Sequence, residues 1–203
     1  MALEVLKTTC CVVGGGPAGI MLGYLLARKG VEVTVLEKHQ DFFRDFRGDT
    51  VHPSTLEVLK ELGLLEEFLD LPHEKVESLG VIVGDSLFDV VDFRHVPVTC
   101  KFVALMPQWD FLNFLSAKAK RFPSFQLLTQ HEATDLVRDG ERITGVVVRN
   151  RGLGFLREIT NIKWLFARLR ATYRRQRASS LLGNVVASQG ITITLSHSSP
   201  FAL

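Results

Sequence analysis

Cys10-Cys11-Val12-Val13-Gly14-Gly15-Gly16-Pro17-Ala18-Gly19 sets the architecture of the whole chain. Its glycines at 14, 16 and 19 fall in a G-x-G-x-x-G frame. Alone that frame is weak, because glycine-rich turns are common. Its setting makes it specific. The apolar run Cys10 to Val13 predicts a buried strand. Downstream, Ala18, Met21, Leu22, Leu25 and Leu26 recur at helical spacing, and Gly30 is placed to end the helix. Val31, Val33 and Val35 then alternate with Glu32 and Thr34, which predicts a second strand, and Glu37 sits at its end. Strand, tight glycine turn, helix and acid-terminated strand together form the βαβ fingerprint of a dinucleotide site.

The chemistry explains the residue types. A pyrophosphate must approach the main chain closely at the start of the helix, where free N–H groups and the positive end of the helix dipole meet it. Side chains at Gly14 or Gly16 would obstruct the turn or the phosphates, and Gly19 lets helix and strand pack tightly. Gly15, Pro17 and Ala18 complete the cradle. Glu37 can accept hydrogen bonds from an adenosine ribose, with Lys38 beside it. An acid at that position disfavours a 2′-phosphate, which argues against NADP as the resident nucleotide.

Net charge is +2, but it hides an asymmetry. Residues 151–203 hold eight basic residues (Arg151, Arg157, Lys163, Arg168, Arg170, Arg174, Arg175, Arg177) and one acid, Glu158. The front is mildly acidic and the tail strongly basic, as expected of two segments with different histories or partners. No apolar run is long enough to span a bilayer, and residues 1–9 lack a signal peptide's apolar core, so the expected location is cytoplasmic. Cys10, Cys11 and Cys100 form neither a disulfide framework nor a metal-ligand spacing. His131-Glu132 opens like a zinc-protease motif, but Asp135 stands where the second histidine is needed, so no metal site is expected.

Further along, Pro53 opens a helix with Leu56, Leu59 and Leu62 on one face and Gly63 closing it. Val76 to Ala104 reads as short strands, with turns near Gly84-Asp85 and Arg94-His95, forming a small inserted antiparallel sheet. Pro107 to Arg121 predicts a second helix, with Leu112, Leu115, Ala119 and Phe122 along one stripe. Phe125 to Leu128 reads as a strand. Glu132–Arg138 and Arg142–Arg149 flank Asp139-Gly140, a hairpin signal. From about Gly152 the pattern deteriorates. Leu165 to Arg170 has the pattern of a basic amphipathic helix, and Gly190 to Leu203 is a Thr/Ser-rich, strand-like piece.

Three blocks together resemble the flavoprotein monooxygenases of the aromatic-hydroxylase type, the family of p-hydroxybenzoate hydroxylase and the ubiquinone-pathway hydroxylases. They are Val12 to Gly19 with Glu37; Phe46-Arg47-Gly48-Asp49-Thr50-Val51-His52-Pro53-Ser54-Thr55-Leu56 running into Leu62-Gly63-Leu64; and Met106-Pro107-Gln108-Trp109-Asp110-Phe111-Leu112. The resemblance covers roughly residues 5–150. It implies an α/β fold: a Rossmann-like FAD-binding domain with a parallel sheet, an inserted small antiparallel sheet and a β-hairpin. It also implies FAD as cofactor, NAD(P)H as transient reductant, and transfer of one oxygen atom of O2 to a small aromatic substrate. Arg47 is then expected at the FAD diphosphate and Gln108 on the flavin side, with Arg44 a weaker phosphate candidate. A halogenase or a reductase on the same fold is the alternative within flavoenzymes. Asp49 and His52 read as local turn and cap groups, and no catalytic acid or base stands out.

Beyond the hairpin the resemblance stops. Arg157-Glu158-Ile159-Thr160 begins like the family's next strand, but Lys163 to Arg168 follows in place of its Ala-Asp-Gly turn. No Gly-Asp pair occurs after residue 150. The expected division is therefore an FAD-binding domain over 1–150 and an atypical, poorly ordered basic tail over 151–203. That is the pattern of a truncated flavoprotein carrying out-of-frame or alternatively spliced sequence, with a non-catalytic fragment as the alternative from a different class and a basic extension that binds an acidic partner as the competing view of the tail. With few aromatics among the arginines, nucleic acid is not an expected partner.

Overall fold

The computed structural model describes residues 4–43, 49–83 and 86–167. Strand β1 (Glu4–Lys7) leads almost directly into β2 (Cys10–Val13). At the joint the Thr8 hydroxyl donates to the carbonyls of Cys10 and Glu32 at 3.1 and 3.2 Å. The glycine turn follows, then α1 (Pro17–Arg28) and β3 (Val33–Leu36). The helix stops just before Gly30, as its spacing predicts. Next come β4 (Thr50–Val51), α2 (Pro53–Glu61), α3 (Leu65–Leu69), β5 (Glu74–Val76), β6 (Ser78–Val83) and β7 (Ser86–Asp92). A 3-10 turn at Phe93–His95 leads to β8 (Val103–Leu105), α4 (Gln108–Ala119) and β9 (Phe125–Leu128). The hairpin β10 (His131–Asp139) and β11 (Arg142–Asn150) precedes β12 (Leu156–Thr160) and β13 (Trp164–Ala167).

The central sheet has the order β13-β2-β3-β9, in which β2, β3 and β9 run parallel. Its inner strands β2 and β3 are buried on both faces, the usual state of parallel sheets. Successive residues point to opposite sides, and the two cysteines show it. Cys10 joins the cluster with Ile20, Tyr24 and Ala27 of α1 and Leu112, Leu115 and Ala119 of α4. Cys11 joins Leu36, Val146, Val148 and Ile159 on the other side. The layers are therefore helices, parallel sheet, and the β1-β12-β11-β10 sheet. Burial pushes both thiols up to about 12, so they behave as small apolar groups.

The expected single inserted sheet is two. Strands β4, β8 and β5 form one antiparallel sheet, in the order β4-β8-β5, and β6 and β7 form a separate two-stranded one. The expected turn at Gly84-Asp85 lies outside the described residues. Three elements had no prediction: β1, a short polar-apolar segment; β4, two residues in a stretch that reads as a loop; and α3, a single short helix anchored by buried Leu65 and Phe68.

The domain boundary expected at residue 150 moves. Strand β12 pairs parallel with β1 and antiparallel with β11, β13 borders β2, and one compact unit runs to Phe166. The pairing partners explain why the pattern is faint: β12 buries little beyond Ile159 and is held by backbone bonds on both sides. The amphipathic helix expected from Leu165 gives way to β13 over Trp164–Ala167, whose Leu165 packs with the second core cluster. Residues 168–203, including the rest of the expected tail, lie outside the described residues.

One polar knot fixes the end of the hairpin. The buried Asn150 side-chain oxygen accepts from the N–H groups of Gly152 and Leu153 at 3.0 and 2.8 Å. That leaves its amide nitrogen as the donor toward His131 Nε2 at 3.3 Å, and His131 Nδ1 then donates to the Thr129 carbonyl at 2.6 Å. Removing the Asn150 amide strands several of these groups at once. Asn150→Ala is expected to lower unfolding free energy by roughly 1–3 kcal/mol. Urea denaturation checks it, and an unchanged midpoint would show that the turn stands without the knot.

Candidate dinucleotide site

The glycine turn is built around a carboxylate. Gly14 enters it with its N–H donating to the Leu36 carbonyl at 2.8 Å and a φ of +117°, a conformation that only glycine adopts without strain. Gly15 N–H donates to Glu37 Oε2 at 3.0 Å. A Cβ on Gly15 would lie 2.8 Å from Glu37 Cβ, so the middle glycine is the one that lets the acid close on the turn. A Cβ on Gly19 would lie 1.9 Å from the Gly14 carbonyl oxygen, which confirms the close helix–strand packing expected there. At Gly16, by contrast, an added Cβ would meet nothing within 4 Å. The space over the start of α1 is open, and the N–H groups of Gly16, Ala18 and Gly19 donate to no group among the described residues.

Glu37 is buried, only 8% exposed. Burial pushes its carboxyl up. The hydrogen bonds from His39 N–H, the His39 ring and Gly15 N–H outweigh that, and the net pKa falls below the usual glutamate value. The acid is therefore ionised at neutral pH. Its strand end is held rigidly: Glu37 N–H donates to the Leu128 carbonyl, His131 N–H to the Glu37 carbonyl, and Gln130 N–H to the His39 carbonyl, all at 2.8–2.9 Å. Lys38 lies exposed beside it.

A cleft of about 390 Å³ opens next to the turn, lined by the first turns of three helices. Pro17 and Ala18 come from α1, Ser54 and Thr55 from α2, and Gln108 from α4. None of the three helices has a side-chain cap from its own N-cap residue. Three positive dipole ends thus share one hollow, a setting that favours an anion. Gln108 lines the same cleft as Pro17 and Ala18. Arg47 and Arg44 lie outside the described residues. His52 lines the cleft as the residue before α2, and Asp49 Oδ1 accepts from Gln108 N–H at 3.3 Å. Asp49 thereby caps a helix that starts 59 residues later, a pairing that no local spacing reveals. The sequence reading also missed His39, whose position two residues after the acid carries no motif.

The donor set fits an adenine dinucleotide: open N–H groups for a diphosphate, an ionised acceptor for a ribose, and a polar uncharged side chain lining the cleft. Among the described residues no helix is long and apolar enough to cross a membrane.

Comparison with known proteins agrees with this geometry. The model of a family described as "FAD binding domain" matches residues 7–159. A rifampicin monooxygenase of Streptomyces venezuelae is 47% identical over 200 residues, covering 88% of this chain and 41% of that protein. The 6-methylpretetramide 4-monooxygenase of Streptomyces rimosus is 31% identical over 140 residues, covering 69% and 34%. The chain thus spans about a third to two fifths of the length of these curated relatives. Among solved structures, a p-nitrophenol 4-monooxygenase of Pseudomonas putida aligns with a TM-score of 0.68 at 20% identity, covering 80% of this chain and 40% of that one. A myxobacterial chondrochloren halogenase aligns with a TM-score of 0.67 at 22% identity, covering 79% and 36%. These two likenesses show the fold. The chain belongs to the FAD binding domain family, whose cofactor is FAD.

Proposed function

We propose that this chain is the dinucleotide-binding part of an FAD-dependent monooxygenase that hydroxylates a small aromatic molecule, with NAD(P)H as reductant and O2 as oxygen source, in the cytoplasm. The observation that carries the reading is the ionised, buried Glu37 locked to the glycine turn through Gly15 N–H, next to an open helix start. The names of two similar proteins, a rifampicin monooxygenase and a 6-methylpretetramide 4-monooxygenase, support the reaction class over halogenation or simple reduction.

Bound FAD supplies the electron transfer and oxygen chemistry, and the protein supplies binding and orientation. The N–H groups of Gly16, Ala18 and Gly19 take diphosphate oxygens. Glu37 takes the adenosine ribose hydroxyls. Gln108 hydrogen-bonds the flavin side of the cofactor without adding charge. Arg47 would add a phosphate partner, because a planar guanidinium can meet two oxygens at once.

Reconstitution with FAD tests the reading. Flavin absorbance retained by the 203-residue chain is expected. Hydroxylated product formed with NAD(P)H and O2 from a panel of phenols supports the reaction class, and halide-dependent product without hydroxylation overturns it. Glu37→Ala is expected to weaken ADP binding by roughly 1–3 kcal/mol, the cost of losing a buried hydrogen-bonding partner. Unchanged ADP affinity, measured by calorimetry, removes Glu37 from the site. Arg47→Lys is expected to lose FAD nearly as readily as Arg47→Ala, because a point charge replaces a fork. Wild-type FAD affinity in Arg47→Ala removes the phosphate role.

A further inference from the structure

His39 does more than follow the acid in sequence. Its backbone N–H and its ring Nδ1 both reach Glu37 Oε1, at 3.0 and 2.6 Å, while Gly15 N–H takes Oε2 at 3.0 Å. An ionised carboxylate only accepts, so the ring nitrogen facing it carries the hydrogen. Neutral or protonated, the imidazole can present that Nδ1–H, so the contact does not depend on the ring's charge. The ring is delivered from a fixed platform, because the His39 carbonyl accepts from Gln130 N–H at 2.8 Å and the Glu37 carbonyl from His131 N–H at 2.9 Å. The His39 side chain is 40% exposed, so it is not placed there to fill a core.

A glutamate has three side-chain torsions, and the two backbone N–H groups each reach a different carboxylate oxygen, Gly15 on Oε2 and His39 on Oε1. The ring Nδ1–H adds a short, charge-assisted donor on Oε1 that narrows the orientations open to the carboxylate. We propose that His39 is a positioning residue: its Nδ1–H sets the plane of the Glu37 carboxylate so that the carboxylate addresses the vicinal hydroxyls of the adenosine ribose. This rests on the assignment of Glu37 to the ribose. His39 then determines how strongly the site distinguishes a ribose from a deoxyribose, without itself touching the nucleotide.

The test is calorimetric titration of the 203-residue chain with ADP and with 2′,3′-dideoxy-ADP. Wild type is expected to prefer ADP. In His39→Ala the ADP affinity is expected to fall about tenfold, as for loss of one charge-assisted hydrogen bond. Affinity for the dideoxy nucleotide should stay where it was, so the preference collapses. His39→Asn places an amide N–H where the ring Nδ1 stands and is expected to restore the preference. An intact ADP preference in His39→Ala overturns the proposal, and so does an equal loss of both nucleotides, which marks a merely structural role. Equal binding of the two nucleotides by wild type overturns the ribose assignment itself, and the proposal with it.

Discussion

The contact between Gly15 N–H and Glu37 Oε2 joins the two halves of the βαβ unit at their open end. It binds the glycine turn to the tip of β3, and each side needs the other. The turn can close on the acid only because Gly15 has no side chain. The acid can stay ionised while buried only because donors surround it, since an unpaired buried charge is costly. Gly19 completes the arrangement by bringing the first turn of α1 against the Gly14 carbonyl, so the positive end of the helix lies beside the negative carboxylate.

The rest of the fold keeps that contact in place. Parallel pairing of β2 with β3 and of β3 with β9 aligns their carboxyl ends, where ligands of open α/β sheets bind. The turn from β9 into β10 clamps residues 37–39 through three backbone hydrogen bonds. Asn150 and His131 stiffen that turn from behind. Helices α2 and α4 add their first turns to the cleft, and Asp49 ties the start of α4 to the segment entering β4. Distant parts of the chain thus converge on one hollow, although only the glycine turn announces itself locally.

How much was legible follows from the range of each interaction. The glycine frame, α1, α2, α4, β9 and the β10–β11 hairpin are set by local periodicity and turn chemistry, and all were readable. Glu37 was readable because its place at the end of a strand follows from the frame. Strands β1 and β13 were not, because they are stabilised by pairing across about 150 residues and bury few side chains of their own, and β12 showed only through the family resemblance of Arg157 to Thr160. Leu165 and Phe166 suit a helix or a strand, and their position beside β2 decides for the strand. The reason for Gly15 emerged only once the carboxylate was seen against it, and His39 and Asp49 act through partners that no spacing rule connects.

The central claim is that the open glycine turn and Glu37 together receive the adenosine diphosphate half of FAD. Backbone amide resonances of the 15N-labelled chain, followed during titration with ADP, test it most directly. The account predicts that the largest saturable shifts fall on Gly15, Gly16, Ala18, Gly19 and His39, while those of β6 and β7 stay still. Shifts concentrated away from residues 14–19 and 37–39, or no saturable shifts at all, would contradict it.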